Sequence, residues 1–196
     1  MINESYIIKT LQARLSRNRM QHSLQVAETA EKLALHYGGD EEKARLAGLV
    51  HDCAKGLSGA ELIEIARQNQ LYMHEIDFEI PDLLHAPVGS FLAQREFAIE
   101  DPQILRAIQI HTLGAPEMSR LDKIIYLADM IEPGRDYPGL ERLTCLTWRD
   151  LDAAMLFALE STIKYCLDRG RILHPLTVQA RNAFLRQVEA AGGMNC

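Results

Sequence analysis

The sequence is short of aromatic residues, at 6%, has four cysteines and one tryptophan, and carries no excess of positive charge. Each shortage removes a class of function. A formal net charge of -6 gives no general attraction to nucleic acid, so duplex binding is not expected. A phosphate ligand then has to be met by a local cluster of cations or by a metal. Cys53, Cys145, Cys166 and Cys196 are scattered with no C-x-x-C pair, which suggests neither a disulfide framework nor a thiolate zinc site and leaves reduced thiols as the expectation. Met1 to Thr10 lacks the apolar stretch of a signal peptide, and no segment approaches the roughly 18 apolar residues of a membrane span. A cytoplasmic protein with no membrane partner is expected. Alternating strand patterns, internal repeats, low-complexity linkers and charge blocks are also missing, so the chain reads as a single all-α domain over residues 1–196.

What is present is hydrophobic residue at helical spacing, within a hydrophobic content of 47%. Tyr6, Ile7, Ile8, Leu11 and Leu15 predict a first helix over 4–16, and a second is expected from Met20 to Tyr37, with His22 in its first turn and Gly38-Gly39 stopping it. Asp40 is a good N-cap, and the third helix runs from it to His51-Asp52. Ser58 and Glu61 form a capping box for a fourth, reaching about Gln68. Residues 71–84 read as a long connection. After His85, a helix continues from Ala86-Pro87-Val88-Gly89 to about Phe97, Asp101-Pro102 opens another with His111 near its end and Gly114 and Pro116 terminating it, and a further one runs from Leu121 to Pro133. Residues 134–146 read as a second loop, Thr147 to Asp150 as the cap of a long helix ending near Asp168, and His174-Pro175 as the start of the last helix.

The run Ala44 to Val50 is heading for a core, yet it ends in an imidazole and a carboxylate side by side, His51-Asp52. Buried polar groups of this kind persist when paired, hydrogen-bonded or bound to a metal. His22, His85, His111 and Asp129 share the setting, each on or beside an apolar helix. One histidine of this sort is readily a satisfied core residue, but six such residues would need six separate explanations. His36, His74 and His174 lack the setting and are left out of the group. Lys55, three residues past Asp52, adds a cation where a phosphate can be met.

The order H, HD, H, H, D in an all-helical chain resembles the HD-domain superfamily of metal-dependent phosphohydrolases. Closer still, His22-Ser23-Leu24, His51-Asp52-Cys53-Ala54-Lys55, Leu84-His85-Ala86-Pro87-Val88-Gly89, His111-Thr112-Leu113-Gly114, Lys123 to Pro133 and Ala180-Arg181-Asn182 resemble the YqeK family, over nearly the whole chain. The pattern departs at Leu113, where a second threonine is expected. That family consists of symmetrical diadenosine tetraphosphate hydrolases with an iron-containing HD site. The resemblance implies an HD-domain helical bundle in which His22, His51, Asp52 and Asp129 hold one divalent metal ion. His85 and His111 would hold a second, with Asp52 bridging. Imidazole and carboxylate ligands alone suit iron, manganese, zinc or cobalt, and the family points to iron.

The implied reaction is attack of a metal-bound hydroxide beside the central bridging oxygen of the tetraphosphate, giving two ADP. Asp52 and Lys55 are the catalytic candidates, Lys55 neutralising charge on the leaving ADP, with Arg19 and Arg135 as further phosphate contacts. Lys123 lies nearly two turns before Asp129 and can face elsewhere, and Tyr126 and Trp148 offer a base a stacking face. The competing expectations are a two-metal HD site acting on another phosphate ester or, with mixed-valent iron, oxidising a small diol, and a nucleotide-sensing module. A complete set of six ligands weighs against a sensor, and the cations favour a polyphosphate over a neutral polyol. The expected partner is a small dinucleoside polyphosphate, and a homodimer stays open.

Overall fold

The computed structural model describes residues 3–71 and 73–192, so that Tyr72, in the expected connection, and Cys196 lie outside the described residues. Among the described residues there are eleven α-helices, one 3-10 helix and no strand. None of these helices is long and apolar enough to cross a membrane. In order they are α1 (Glu4–Arg14), α2 (Arg17–His36), α3 (Glu41–Val50), α4 (Gly59–Gln68), α5 (Ile76–Glu79), the 3-10 helix Pro81–Leu84, α6 (His85–Phe97), α7 (Pro102–Ile110), α8 (Arg120–Ile131), α9 (Leu140–Thr147), α10 (Leu151–Asp168) and α11 (Pro175–Ala190).

Local chemistry starts the helices where side-chain acceptors are available. Asp40 accepts from the Lys43 N–H at 3.0 Å, Asp101 from the Gln103 N–H at 2.8 Å, and Ser58 and Glu61 close the capping box. Ser16, not a residue beside Met20, caps α2, so His22 lies in the interior of the helix and not in its first turn. Residues 71–84 are not a plain connection, since they contain α5 and the 3-10 helix. The expected loop over 134–146 contains α9, which starts after Gly139 in a left-handed conformation (φ 94°) and ends at Thr147. Asp150 caps α10, accepting from the N–H groups of Asp152 and Ala153.

The main core runs through α2, α3, α7, α8 and α10, with Val26, Leu33, Leu49, Ile108, Ile125, Leu127 and Leu159 buried in it. A smaller apolar cluster of Ala54, Leu62, Ala66, Leu84 and Val88 seats α4 against α6. Gly48 decides how closely α3 approaches α2. A Cβ placed there would stand 2.9 Å from the Ala27 Cα, closer than any side chain could relieve, because the obstacle is backbone. That approach brings the end of α3 alongside the helix carrying His22.

Candidate metal centre

Three of the four histidines stand where a helix begins or ends. His51 is the C-cap of α3, His111 is the C-cap of α7, and His85 opens α6 directly after the 3-10 helix. The last carbonyls of a helix have no partner within it. Each histidine takes one from three residues back: Nδ1 lies 2.7 Å from Gly48 O in His51, 2.5 Å from Asp82 O in His85 and 2.7 Å from Ile108 O in His111. A carbonyl only accepts, so Nδ1 carries the proton and Nε2 presents a lone pair to the centre. His22 is inside α2, where the carbonyls one turn back are already engaged. Its Nδ1 instead donates to Oε1 of Glu132, at 3.1 Å.

The four Nε2 atoms face one another in two pairs. Those of His22 and His51 are 3.2 Å apart, and those of His85 and His111 are 3.1 Å apart. Lone pairs opposed at such distances repel unless a positive charge lies between them. Asp52 turns one oxygen toward each pair. Its Oδ2 is 3.8 Å from His22 Nε2 and 3.6 Å from His51 Nε2, while Oδ1 is 3.3 Å from His85 Nε2 and 3.6 Å from His111 Nε2. Asp129 Oδ1 joins the first pair, 3.1 Å from His22 Nε2 and 3.9 Å from His51 Nε2.

Burial and the neighbouring carboxylates act differently on the two members of each pair. Burial works against protonating His22, but the hydrogen bond and charge of Asp129 outweigh it and raise the pKa, whereas burial holds that of His51 down. In the second pair burial again opposes protonation, yet Asp52 raises the pKa of His111, while burial and the neighbouring His111 push His85 down to about 3. Burial disfavours ionised Asp52 and Asp129, and the surrounding imidazoles reverse that, holding both below the usual carboxylate range.

Two sets of side chains, His22–His51–Asp129 and His51–Asp52–His111, bring ligand atoms within 4.8 Å of one another. With neutral imidazole Nε2 and carboxylate oxygen as donors and no thiolate, the set fits a divalent cation.

The centre opens into a cavity of about 330 Å³ whose walls include Arg19, Lys55 and Arg135. Arg19 donates to Asp52 Oδ2 at 2.9 Å, Arg135 to the Asp129 carboxylate, and Lys55 Nζ sits 2.7 Å from Asp82 Oδ2. All three cations expected near phosphate are thus brought to one cavity. Lys123 faces elsewhere and pairs with Asp152 at 2.7 Å. Tyr126 lines the cavity, but Trp148 stacks edge-on against His36. The three histidines left out of the group are used structurally. His36 Nε2 bonds Trp148 O, His74 accepts from the Ile76 N–H, and His174 caps α11 by accepting from the Leu176 N–H.

Sequence reasoning missed Glu132 and Thr112. Thr112 Oγ1 lies 3.1 Å from His85 Nε2 and 3.2 Å from His111 Nε2, a placement that only the fold reveals. Glu132 did carry a signal. An acid at a helix C-terminus opposes the helix dipole and needs another reason to be there.

Comparison with known proteins places the chain in a family. The HD domain family matches residues 19–134. A symmetrical bis(5'-nucleosyl)-tetraphosphatase of Halalkalibacterium halodurans is 39% identical over 184 residues, covering 94% of this chain and 98% of that protein. The Bacillus subtilis protein of the same name is 35% identical over 181 residues, covering 92% and 97%. The crystal structure of a predicted HD superfamily hydrolase involved in NAD metabolism from Clostridium acetobutylicum superposes with a TM-score of 0.93 at 43% identity, covering 95% of this chain and 99% of that one. With relatives this similar along almost the full chain and the H, HD, H, H, D residues gathered at one centre, the chain belongs to the HD-domain superfamily and, within it, to the YqeK family.

Proposed function

We propose that this protein is a metal-dependent hydrolase that cuts diadenosine tetraphosphate at its central bridge to give two ADP. The observation that carries the reading is that the four paired imidazoles converge on Asp52 and Asp129, and that both carboxylates, with His85 and His111, line a cavity walled by Arg19, Lys55 and Arg135. The names borne by the Halalkalibacterium halodurans and Bacillus subtilis relatives support the substrate.

His22, His51, Asp52 and Asp129 are assigned to one divalent ion. His85 and His111 are assigned to a second, with Asp52 shared, and iron is the metal proposed. Ions held there supply a Lewis acid and a water that is acidic near neutral pH. The residues of the chain do the rest. Nδ1 contacts hold all four imidazoles with Nε2 toward the centre, and Asp52 turns one oxygen toward each pair. Arg19 and Arg135 meet the phosphate chain. Water adds across one P–O bond of the central bridge, and the departing ADP keeps the bridging oxygen as Lys55 offsets its charge. Lys55 can exchange Asp82 for the leaving phosphate because Asp82 is largely exposed, so that water can solvate the carboxylate left behind. The cytoplasm is the proposed location and a homodimer the assembly to be tested.

Product chromatography after incubation with diadenosine tetraphosphate tests the reading. Two ADP per substrate consumed is the expected result. ATP plus AMP, or no hydrolysis beside rapid turnover of a different nucleotide, contradicts it.

A further inference from the structure

Glu132 has no counterpart among the other histidine supports. His51, His85 and His111 each rest Nδ1 on a backbone carbonyl of their own segment, while His22 rests on a side chain from a different helix, 110 residues away. The Glu132 carboxylate is buried and has three neighbours. Oε1 accepts from His22 Nδ1 at 3.1 Å and lies 3.5 Å from Arg135 Nε, and Oε2 accepts from the Gly134 N–H at 2.5 Å. Arg135 in turn holds both the carbonyl and the carboxylate of Asp129. One acid therefore contacts a histidine of the centre and the arginine at its cavity wall.

Two features of the chain fit a carboxylate held in that spot. Glu132 follows the last turn of α8, where the helix dipole disfavours an anion. Residue 134 is glycine, and a Cβ there would stand 2.9 Å from Glu132 Oε2 and 3.0 Å from Gln25 Oε1, displacing the acid from its place. A bend that merely closed the helix would need neither.

We propose that Glu132 is a positioning residue that holds His22 in its ligating tautomer and Arg135 in its phosphate-facing pose, so that ion binding and substrate binding are coupled through one side chain. The inference rests on the metal-ion reading of the centre. It adds that the His22 side depends on a carboxylate where the other three histidines depend on the backbone. Outer supports of this kind set ligand affinity by about 10–100-fold.

The test compares wild type with Glu132→Gln and Glu132→Ala, using ferrous ion added anaerobically to metal-free protein, with circular dichroism to verify the fold. Glu132→Ala should weaken binding of one ion by about 10–100-fold and raise KM for the dinucleotide. Glu132→Gln, which keeps an oxygen for His22 Nδ1 to donate to, should recover much of the ion affinity and less of KM. In a His22→Ala background the Glu132→Ala change should no longer alter ion affinity. If wild type binds ions and both Glu132 variants bind them as tightly with unchanged KM, differing only in melting temperature, Glu132 is a helix-closing residue and the proposal is wrong. If wild type binds no ion at all, the metal-ion reading falls and takes the proposal with it.

Discussion

Asp52 and His85 meet through Oδ1 and Nε2 at 3.3 Å, while the other oxygen of the same carboxylate faces the His22 and His51 pair. A carboxylate that turns one oxygen toward each pair cannot be replaced by any one of the histidines, each of which presents a single Nε2. Asp52→Ala is therefore expected to cost more activity than loss of any one histidine, and more than the roughly 100-fold that marks the upper range for an outer supporting residue. Steady-state kinetics on Asp52→Ala beside His22→Ala, His51→Ala, His85→Ala and His111→Ala checks this, and an Asp52 variant as active as the histidine variants counts against a shared carboxylate.

The cavity cations should separate in kinetics. Lys55→Ala is expected to lower kcat/KM by about 100-fold, as loss of a group aimed at developing charge does, with kcat carrying most of the effect. Arg19→Ala and Arg135→Ala should act mainly through KM. Lys123→Ala is the control, since its charge pairs with Asp152, and its kinetic constants should match wild type.

Gly48→Ala sets two principles against each other. Alanine is the better helix former by about 1 kcal/mol. The added methyl, however, meets the backbone of Ala27 at 2.9 Å and of Val26 at 3.1 Å, and overpacking that cannot be relieved costs about 1–3 kcal/mol. A net loss of stability is expected in urea unfolding. It should come with weaker ion binding, because Gly48 also supplies the carbonyl that orients His51. A variant at least as stable as wild type would show that the helix contact gives way.

Much of this was legible in the chain and some was not, for physical reasons. Asp40, Ser58 with Glu61, and Asp101-Pro102 start helices by local hydrogen bonds, which a sequence displays directly. Helix α9 was missed because it is only eight residues long and lies in a stretch marked by Pro138-Gly139, although Leu140, Leu143 and Leu146 stand three apart as one helix face does. The six His and Asp residues stood out because each interrupts apolar sequence. Glu132 and Thr112 did not, because their partners come from distant segments or depend on how a histidine ring is turned.

Alkaline pH should expose a stability term at Tyr37. Burial, helped by the nearby Asp150, pushes its pKa up to about 12, and its hydroxyl donates to Thr147 O at 2.6 Å. The unfolded value is about 10, so the folded state favours the neutral phenol. Its contribution is fully present below pH of about 10 and is lost as pH rises through the folded value. Tyr37→Phe should be less stable by about 1 kcal/mol at pH 8, and the gap to wild type should narrow as pH climbs above about 10. Urea unfolding of both proteins across that range is the measurement, and a gap that widens would contradict the assigned direction.

The most direct test of the account is the ion count of protein purified without oxygen. Two ions per chain are expected in wild type, no more than one in the His85→Ala, His111→Ala double variant, and fewer still in Asp52→Ala. A wild-type protein that is fully active and never exceeds one ion per chain would contradict the two-ion centre.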